Sequence, residues 1–163
     1  MEIIPLVMGF VQLIVALFLA IGVIYIGISL FGRMTKGLDE WEELKQGNAA
    51  VGIVLTAIII SLATVTQSGI AGLTGALMNV SASGDYIMAV IGGAVQLIVG
   101  IVMAVIAIWL AISILDRITK DIDEPAELKK GNVAVAIVMA GVLIAVGFII
   151  QAGVAGLSRA IGV

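Results

Sequence analysis

The sequence predicts an all-α integral membrane protein with four transmembrane helices. They are arranged as two parallel tandem helical hairpins, with a short interfacial helix in each charged loop. Three observations support this fold class. Of the 163 residues, 62% are hydrophobic and only 12% are charged, whereas a soluble domain is about half apolar and about a quarter charged. The charges lie in short segments that separate four long apolar runs. The second half of the chain also repeats the pattern of the first.

Each apolar run is long enough to cross a bilayer as a helix. No Asp, Glu, Lys or Arg lies within residues 3–32, 46–84, 86–115 or 131–158, and about 20 apolar residues span the hydrocarbon core. The runs are continuous rather than alternating, which favours helices over barrel strands. A helical bundle buried in water is the alternative, but these runs offer solvent almost no polar face. The first run lacks a basic n-region and a cleavage site, so we interpret it as a retained helix.

The two halves of the chain align without a gap. The segment ELKQGN begins at residue 43 and ELKKGN at residue 127, and we call the displacement between them the repeat offset. At this offset roughly 40% of the aligned positions are identical, which predicts a duplicated two-helix unit. We assign residues 1–79 to the first unit and residues 85–163 to the second, within one membrane domain. Each unit holds two spans, so the copies should point the same way, about an axis near the membrane normal.

Lysine and arginine residues predict the orientation. Seven of the eight lie in two segments, residues 33–48 and 116–132, and Arg159 lies at the opposite side. Basic residues in short loops remain on the cytoplasmic side. We therefore predict a multi-pass protein with both termini outside and the two charged loops in the cytoplasm.

The two charged loops carry the same motif. An aspartate is placed to cap a two-turn helix, a glycine to stop it, and an asparagine to cap the next spanning helix. We predict that this helix lies on the membrane with its acidic residues toward water. A docking motif for a cytoplasmic protein partner is the alternative. The motif residues are Asp39, Glu40, Glu43, Leu44, Lys45, Gly47 and Asn48 in the first loop, and Asp123, Glu124, Glu127, Leu128, Lys129, Gly131 and Asn132 in the second.

Paired spans joined by a D-E-x-x-E-L-K-x-G-N-x-A-V loop resemble the domain of unknown function 350 family, the YjfL-like small prokaryotic membrane proteins. The resemblance covers both halves, which implies two tandem copies of the family unit. It implies a multi-pass protein of the bacterial or archaeal cell inner membrane. Family members are often encoded near envelope-stress functions of the phage-shock type, which implies a role in membrane maintenance. The family has no established catalytic residues, so the resemblance transfers none.

Four glutamines are candidate polar groups inside the membrane. Counted from the outer ends of the spans, they lie at similar depths of about 14 to 15 Å. We interpret them as hydrogen-bonding one another between helices, and a hydrated path for a solute is the alternative. Small residues near them predict close helix packing, with a flexible hinge as the alternative. The glutamines are Gln12, Gln67, Gln96 and Gln151, and the packing glycines are Gly69, Gly72, Gly153 and Gly156.

Composition narrows the function classes. The chain has no histidine and no cysteine, which removes imidazole and thiol chemistry and most zinc sites. No carboxylate lies within a span, which argues against proton-coupled transport. We expect no enzyme activity, no cofactor, no metal site and no nucleic-acid partner. The leading hypothesis is a structural or scaffold protein that self-associates as a homo-oligomer in the lipid bilayer. The alternatives are a passive channel or small-solute conduit, and a sensor of membrane stress.

Overall fold

The computed structural model describes residues 3–35, 37–79, 86–118 and 122–161, and every regular element within them is a helix. Long and short helices follow one another in the same order twice. The long helices are α1 (Ile3–Met34), α3 (Ala49–Asn79), α4 (Tyr86–Ile118) and α6 (Val133–Ile161), and the short ones are α2 (Glu40–Lys45) and α5 (Glu124–Lys129). The prediction of an all-helical fold is confirmed for this part of the chain.

Three helices in the described part of the chain are long and apolar enough to cross a membrane. Their spanning windows are Ala16–Arg33 in α1, Ala49–Gly72 in α3 and Val133–Gly156 in α6. In α4 the apolar stretch among the described residues is Ile98–Ile114. These lengths and compositions indicate a membrane protein. A fourth span in α4 stays a prediction.

Helix α3 is the centre of the fold. It packs against α1, α4 and α6, and it also contacts both short helices. Its spanning window is 56% buried, compared with 28% for α6 and 17% for α1. Helix α6 packs against α3, α4 and α5, whereas α1 packs mainly against α3. The first helix is therefore the most peripheral of the three candidate spans.

The core follows from the spacing of apolar residues along α3. Val51, Val54, Ile58, Leu62 and Val65 are each at most 1% exposed. Their spacing of three or four residues places them along one side of a helix. Gly27 leaves room for the end of the Leu62 side chain where α1 approaches this side, since a Cβ atom there would contact that side chain. Small residues thus bring the neighbouring helices near the α3 core.

Candidate functional sites: the loop turns and the helix faces

The two short helices begin at aspartate caps. The Asp39 side chain accepts hydrogen bonds from the backbone N–H groups of Trp41 at 3.1 Å and Glu42 at 3.0 Å. The Asp123 side chain accepts one from the N–H of Ala126 at 3.1 Å. These bonds satisfy N–H groups that a helix start leaves unpaired. The aspartates therefore have a local role in forming α2 and α5.

Both short helices end in the same hydrogen-bonded turn. The N–H of Gly47 donates to the Leu44 carbonyl at 3.0 Å, and the N–H of Asn48 donates to the Glu43 carbonyl at 2.9 Å. This pair of bonds is the Schellman motif. It requires a left-handed residue, and Gly47 has φ of +78°. The second loop repeats both bonds, with Gly131 also at +78°.

The asparagine after each glycine caps the following long helix. Asn48 Oδ1 accepts from the N–H groups of Ala50 at 3.1 Å and Val51 at 3.3 Å, while its Nδ2 donates to Glu43 Oε2 at 2.7 Å. Asn132 makes the equivalent bonds, with distances of 3.2, 3.4 and 2.7 Å. Each asparagine therefore holds its short helix and its long helix in a fixed relative position.

One hydrogen bond joins the two loops. Asn48 Nδ2 also donates to the backbone carbonyl of Leu128, in α5, at 2.8 Å. The reciprocal bond, from Asn132 to the Leu44 carbonyl, is not formed among the described residues. Leu128 is fully buried, whereas Leu44 is 37% exposed. The two loops thus have the same internal geometry but different surroundings.

Glu127, in the second loop, has two polar side-chain partners and a shifted pKa. It accepts a hydrogen bond from Asn132 and forms an ion pair with Lys130 at 2.6 Å. The Asn132 hydrogen bond, followed by the Lys130 contacts, holds the pKa of Glu127 below its usual value. The same carboxylate raises the pKa of Lys130. In the first loop, Lys45 forms a longer ion pair, with Glu42 at 3.5 Å.

The acidic residues are less exposed than predicted. We expected the glutamates of both loops to face water, but Glu124 is only 4% exposed. Glu40 and Glu43 are half-buried, with the Glu40 carboxylate against Gly32 of α1. Glu124 is more buried than Glu40 and Glu43 because α5 packs against both α3 and α6, whereas α2 packs mainly against α3. Lys129 is exposed, in agreement with a solvated loop surface.

The glutamine layer is described only in part. Gln67 is exposed on α3 and Gln151 is half-buried on α6. The side chains of Gln12 and Gln96 lie outside the described residues, although their backbones lie in α1 and α4. Mutual hydrogen bonding of the four amides stays a prediction.

The four predicted packing glycines divide into two classes. Gly69 and Gly72 are buried in α3, and a Cβ atom at Gly100 of α4 would lie 3.8 Å from the Gly69 Cα atom. Gly153 and Gly156 are exposed on α6, and a Cβ atom at either would meet nothing within 4 Å. Within one chain, α3 is surrounded at the first pair, whereas α6 is open at the second, and a packing role for all four glycines stays a prediction.

A close contact between α3 and α6, at Ser61, was not predicted from the sequence. Ser61 Oγ donates to the Ala57 carbonyl at 2.8 Å and to the Leu143 carbonyl of α6 at 2.9 Å. A Cβ atom at Gly147 would lie 2.8 Å from Ser61 Cβ and 2.9 Å from Ser61 Cα. A serine and a glycine on apolar helices were the available signal, but sequence alone does not show that they meet.

An open groove of about 420 Å³ runs between α3 and α6. Its lining is mostly apolar, and Thr56 is its polar residue. The Thr56 hydroxyl already donates to the Gly52 carbonyl of its own helix at 2.8 Å. The groove therefore presents no cluster of convergent polar groups to a solute. The described residues also contain no group of three or more acidic side chains placed to hold a metal ion.

Helices of spanning length around a buried central helix, joined by charged turns, define an α-helical membrane protein. The chain belongs to the family described as Domain of Unknown Function (DUF350), whose model matches residues 5–154. This match confirms the family that the loop motif predicts. No curated protein and no solved structure matches the chain. Tandem duplication of the family unit stays a prediction from the internal sequence identity.

Proposed function

We propose that this protein is a non-catalytic structural component of a prokaryotic cell membrane that acts by self-association. In this proposal four helices span the membrane as two tandem units, residues 1–79 and 85–163. Both termini lie outside and the charged loops lie in the cytoplasm. The internal sequence identity and the distribution of lysine and arginine support this arrangement. A role in envelope maintenance follows only from the family resemblance.

The observation that carries the proposal is the exposed glycine pair of α6. Gly153 and Gly156 occupy the positions in the second half that Gly69 and Gly72 occupy in the first. The first pair is buried and the second is exposed. Small residues at such spacing allow helix backbones to approach in lipid. A second copy of the chain would give α6 the packing that α3 already has.

The loop helices supply the second part of the proposal, which is contact with a cytoplasmic protein. Glu42 and Lys45 are exposed on α2, and Lys129 and Lys130 are exposed on and beside α5. Because each loop is fixed to its long helix by an asparagine, a bound partner would be coupled rigidly to the membrane assembly. Charge reversal at Glu42 should weaken such binding without changing the oligomeric mass.

The experiment that tests self-association is a mass measurement. The protein is placed in lipid nanodiscs at a low ratio of protein to disc, and native mass spectrometry gives the number of copies per disc. We expect a defined oligomer, stable on dilution, rather than the random occupancy that Poisson loading gives. A chain of 16.7 kDa that remains monomeric at all loading ratios would contradict the proposal.

A passive conduit is the second candidate, and Gln67 is the observation that favours it. This amide is exposed on a helix of spanning length, and polar side chains at such positions often line a water-filled path. The test is solute flux through proteoliposomes containing the wild type or the Gln67→Leu variant. Flux that Gln67→Leu abolishes while the oligomer persists would favour the conduit over the scaffold.

A further inference from the structure

We propose that copies of this chain join head to tail, with α6 of one copy packed against α3 of the next. The contact would reproduce the one that α3 and α6 make within a single chain. This inference rests on the proposed self-association and specifies the surfaces that carry it. Each copy would contact two other copies through two different surfaces, rather than one other copy through a symmetric contact.

The starting point is that the internal contact between α3 and α6 uses different faces of the two helices. Ser61 of α3 meets Gly147 of α6. At the repeat offset, Ser61 corresponds to Ala145 and Gly147 corresponds to Ala63. Both alanines are exposed. A two-fold contact would bury all four positions, but only Ser61 and Gly147 are buried. The contact therefore joins two different surfaces, like a heterologous contact between subunits.

The two faces can be followed along both helices. Each helix has both faces. The front face is the side of α3 that includes Ser61, together with the corresponding side of α6. The back face is the side of α6 that includes Gly147, together with the corresponding side of α3. Residues of the front face are Ala57, Ser61, Val65, Ser68 and Gly72 in α3, and Gly141, Ala145, Ile149, Ala152 and Gly156 in α6. Residues of the back face are Thr56, Ile60, Ala63, Gln67 and Ala71 in α3, and Ala140, Ile144, Gly147, Gln151 and Ala155 in α6.

Burial separates these faces without exception. Every front-face residue is buried in α3 and exposed in α6. Every back-face residue is exposed in α3 and buried or half-buried in α6. Val65 is 1% exposed, for example, whereas its counterpart Ile149 is 70% exposed. Each chain therefore presents one free front face and one free back face, which are the two surfaces that already fit each other inside the chain.

The polar residues of the free back face favour a protein partner over lipid. Thr56 and Gln67 are both exposed on α3. A glutamine amide facing hydrocarbon is costly, because it has no partner for its hydrogen-bonding groups. Its counterpart Gln151 is half-buried on the face of α6 that packs toward α3. An α6 helix from a second copy would cover Gln67 in the same way.

The loops supply an independent indication of the same contact. Asn48 donates to the Leu128 carbonyl within the chain. At the repeat offset, Asn48 corresponds to Asn132 and Leu128 corresponds to Leu44. Among the described residues this second pair is not bonded, and Leu44 is exposed. In a head-to-tail contact, Asn132 of one copy would donate to the Leu44 carbonyl of the next.

Cysteine cross-linking tests the pairing directly, because the chain contains no cysteine of its own. Ala63→Cys and Ala145→Cys are placed on separate copies that carry different tags, co-expressed in membranes and exposed to a mild oxidant. We expect a covalent dimer that carries both tags. Tyr25→Cys replaces Ala63→Cys in the control. Tyr25 is 75% exposed and lies close in depth, since nearby Gly27 contacts Leu62, but it is not on the back face.

A second pair of cysteine positions tests the same contact independently, so that one badly oriented pair does not decide the result. The contact between Gly69 and Gly100 converts, at the repeat offset, into Gly153 of one copy and Ala16 of the next. Gly153→Cys and Ala16→Cys should therefore also cross-link between copies. A chain carrying both substitutions of either pair should give covalent trimers or larger species, which a two-fold contact cannot produce.

The outcomes separate this inference from the proposed function. Mixed-tag dimers from both pairs, and none from the Tyr25 control, would support the head-to-tail contact. A defined oligomer in nanodiscs with no cross-link from either pair would overturn the pairing and leave self-association standing. Efficient linkage of Ala145→Cys to itself would also overturn it, because that indicates a two-fold contact. A monomer in nanodiscs would overturn both proposals.

Discussion

Replacing Gly147 by alanine tests how closely α3 and α6 depend on each other. The new Cβ atom would lie 2.8 Å from Ser61 Cβ, 2.9 Å from Ser61 Cα and 3.0 Å from Ser61 Oγ. One of these atoms belongs to the backbone, so a rotamer change cannot relieve the overlap and the helices must separate. Overpacking of this kind costs about 1 to 3 kcal/mol. The higher helix propensity of alanine offsets up to about 1 kcal/mol. With the full offset, we expect a net loss of about 0 to 2 kcal/mol.

The same substitution elsewhere in α6 provides the control. A Cβ atom at Gly141 would meet nothing within 4 Å, so Gly141→Ala should be neutral or stabilising by up to about 1 kcal/mol. The assay is reversible unfolding in mixed micelles with increasing sodium dodecyl sulfate, followed by circular dichroism. The two variants should differ by at least about 1 kcal/mol in the free energy of unfolding. Equal stability of Gly147→Ala and Gly141→Ala would refute the close contact at Ser61.

Further predictions use the same unfolding assay. Gly27→Ala should cost less than Gly147→Ala, below about 1 kcal/mol, because the nearest atom is the flexible end of a leucine side chain; a larger loss would indicate a rigid contact with α1. Asn48→Ala and Asn132→Ala should each remove a helix cap worth about 0.5 to 2 kcal/mol. Asn48→Ala should cost about 1 kcal/mol more, for its additional bond between the loops, and equal losses would argue against that bond. Gly131→Ala should cost about 1 to 2 kcal/mol. The reason is the left-handed backbone at Gly131, where φ is +78°. The pKa of Glu127 is lower in the folded protein than its usual value, so the ionised carboxylate adds to the free energy of unfolding. This contribution is fully present above the usual carboxyl pKa and is lost as the pH falls through the folded value. Glu127→Gln should therefore flatten the dependence of the free energy of unfolding on pH in that acidic range.

The loop turns could be predicted from the sequence because their interactions are local. Asp39 caps the helix that starts beside it, and Gly47 supplies the left-handed residue that ends it. Asn48 then accepts from N–H groups two and three residues further on. All of these contacts lie within a few residues of one another. Sequence spacing is therefore sufficient to assign them.

Contacts between helices could not be assigned in the same way. Ser61 and Leu143 are far apart in the sequence and meet only because α3 and α6 present particular faces. Glu124 is buried for the same kind of reason, since α5 lies against two long helices. Apolar residues surround these helices on nearly every side, so periodicity does not distinguish a protein-facing side from a lipid-facing one. The difference between Gly72 and Gly156 is invisible in the sequence for this reason.

The angle between the front and back faces sets how many copies a closed assembly would contain. With about 100° per residue, the two faces of α3 are centred about 120° apart. Neighbours that join at corners of about 120° form a hexagon, so the ring would contain about six central helices, contributed by about three copies. Helices α1 and α4 would lie outside this ring. If the series closes in the plane of the membrane, the assembly should therefore have about three times the mass of one 16.7 kDa chain.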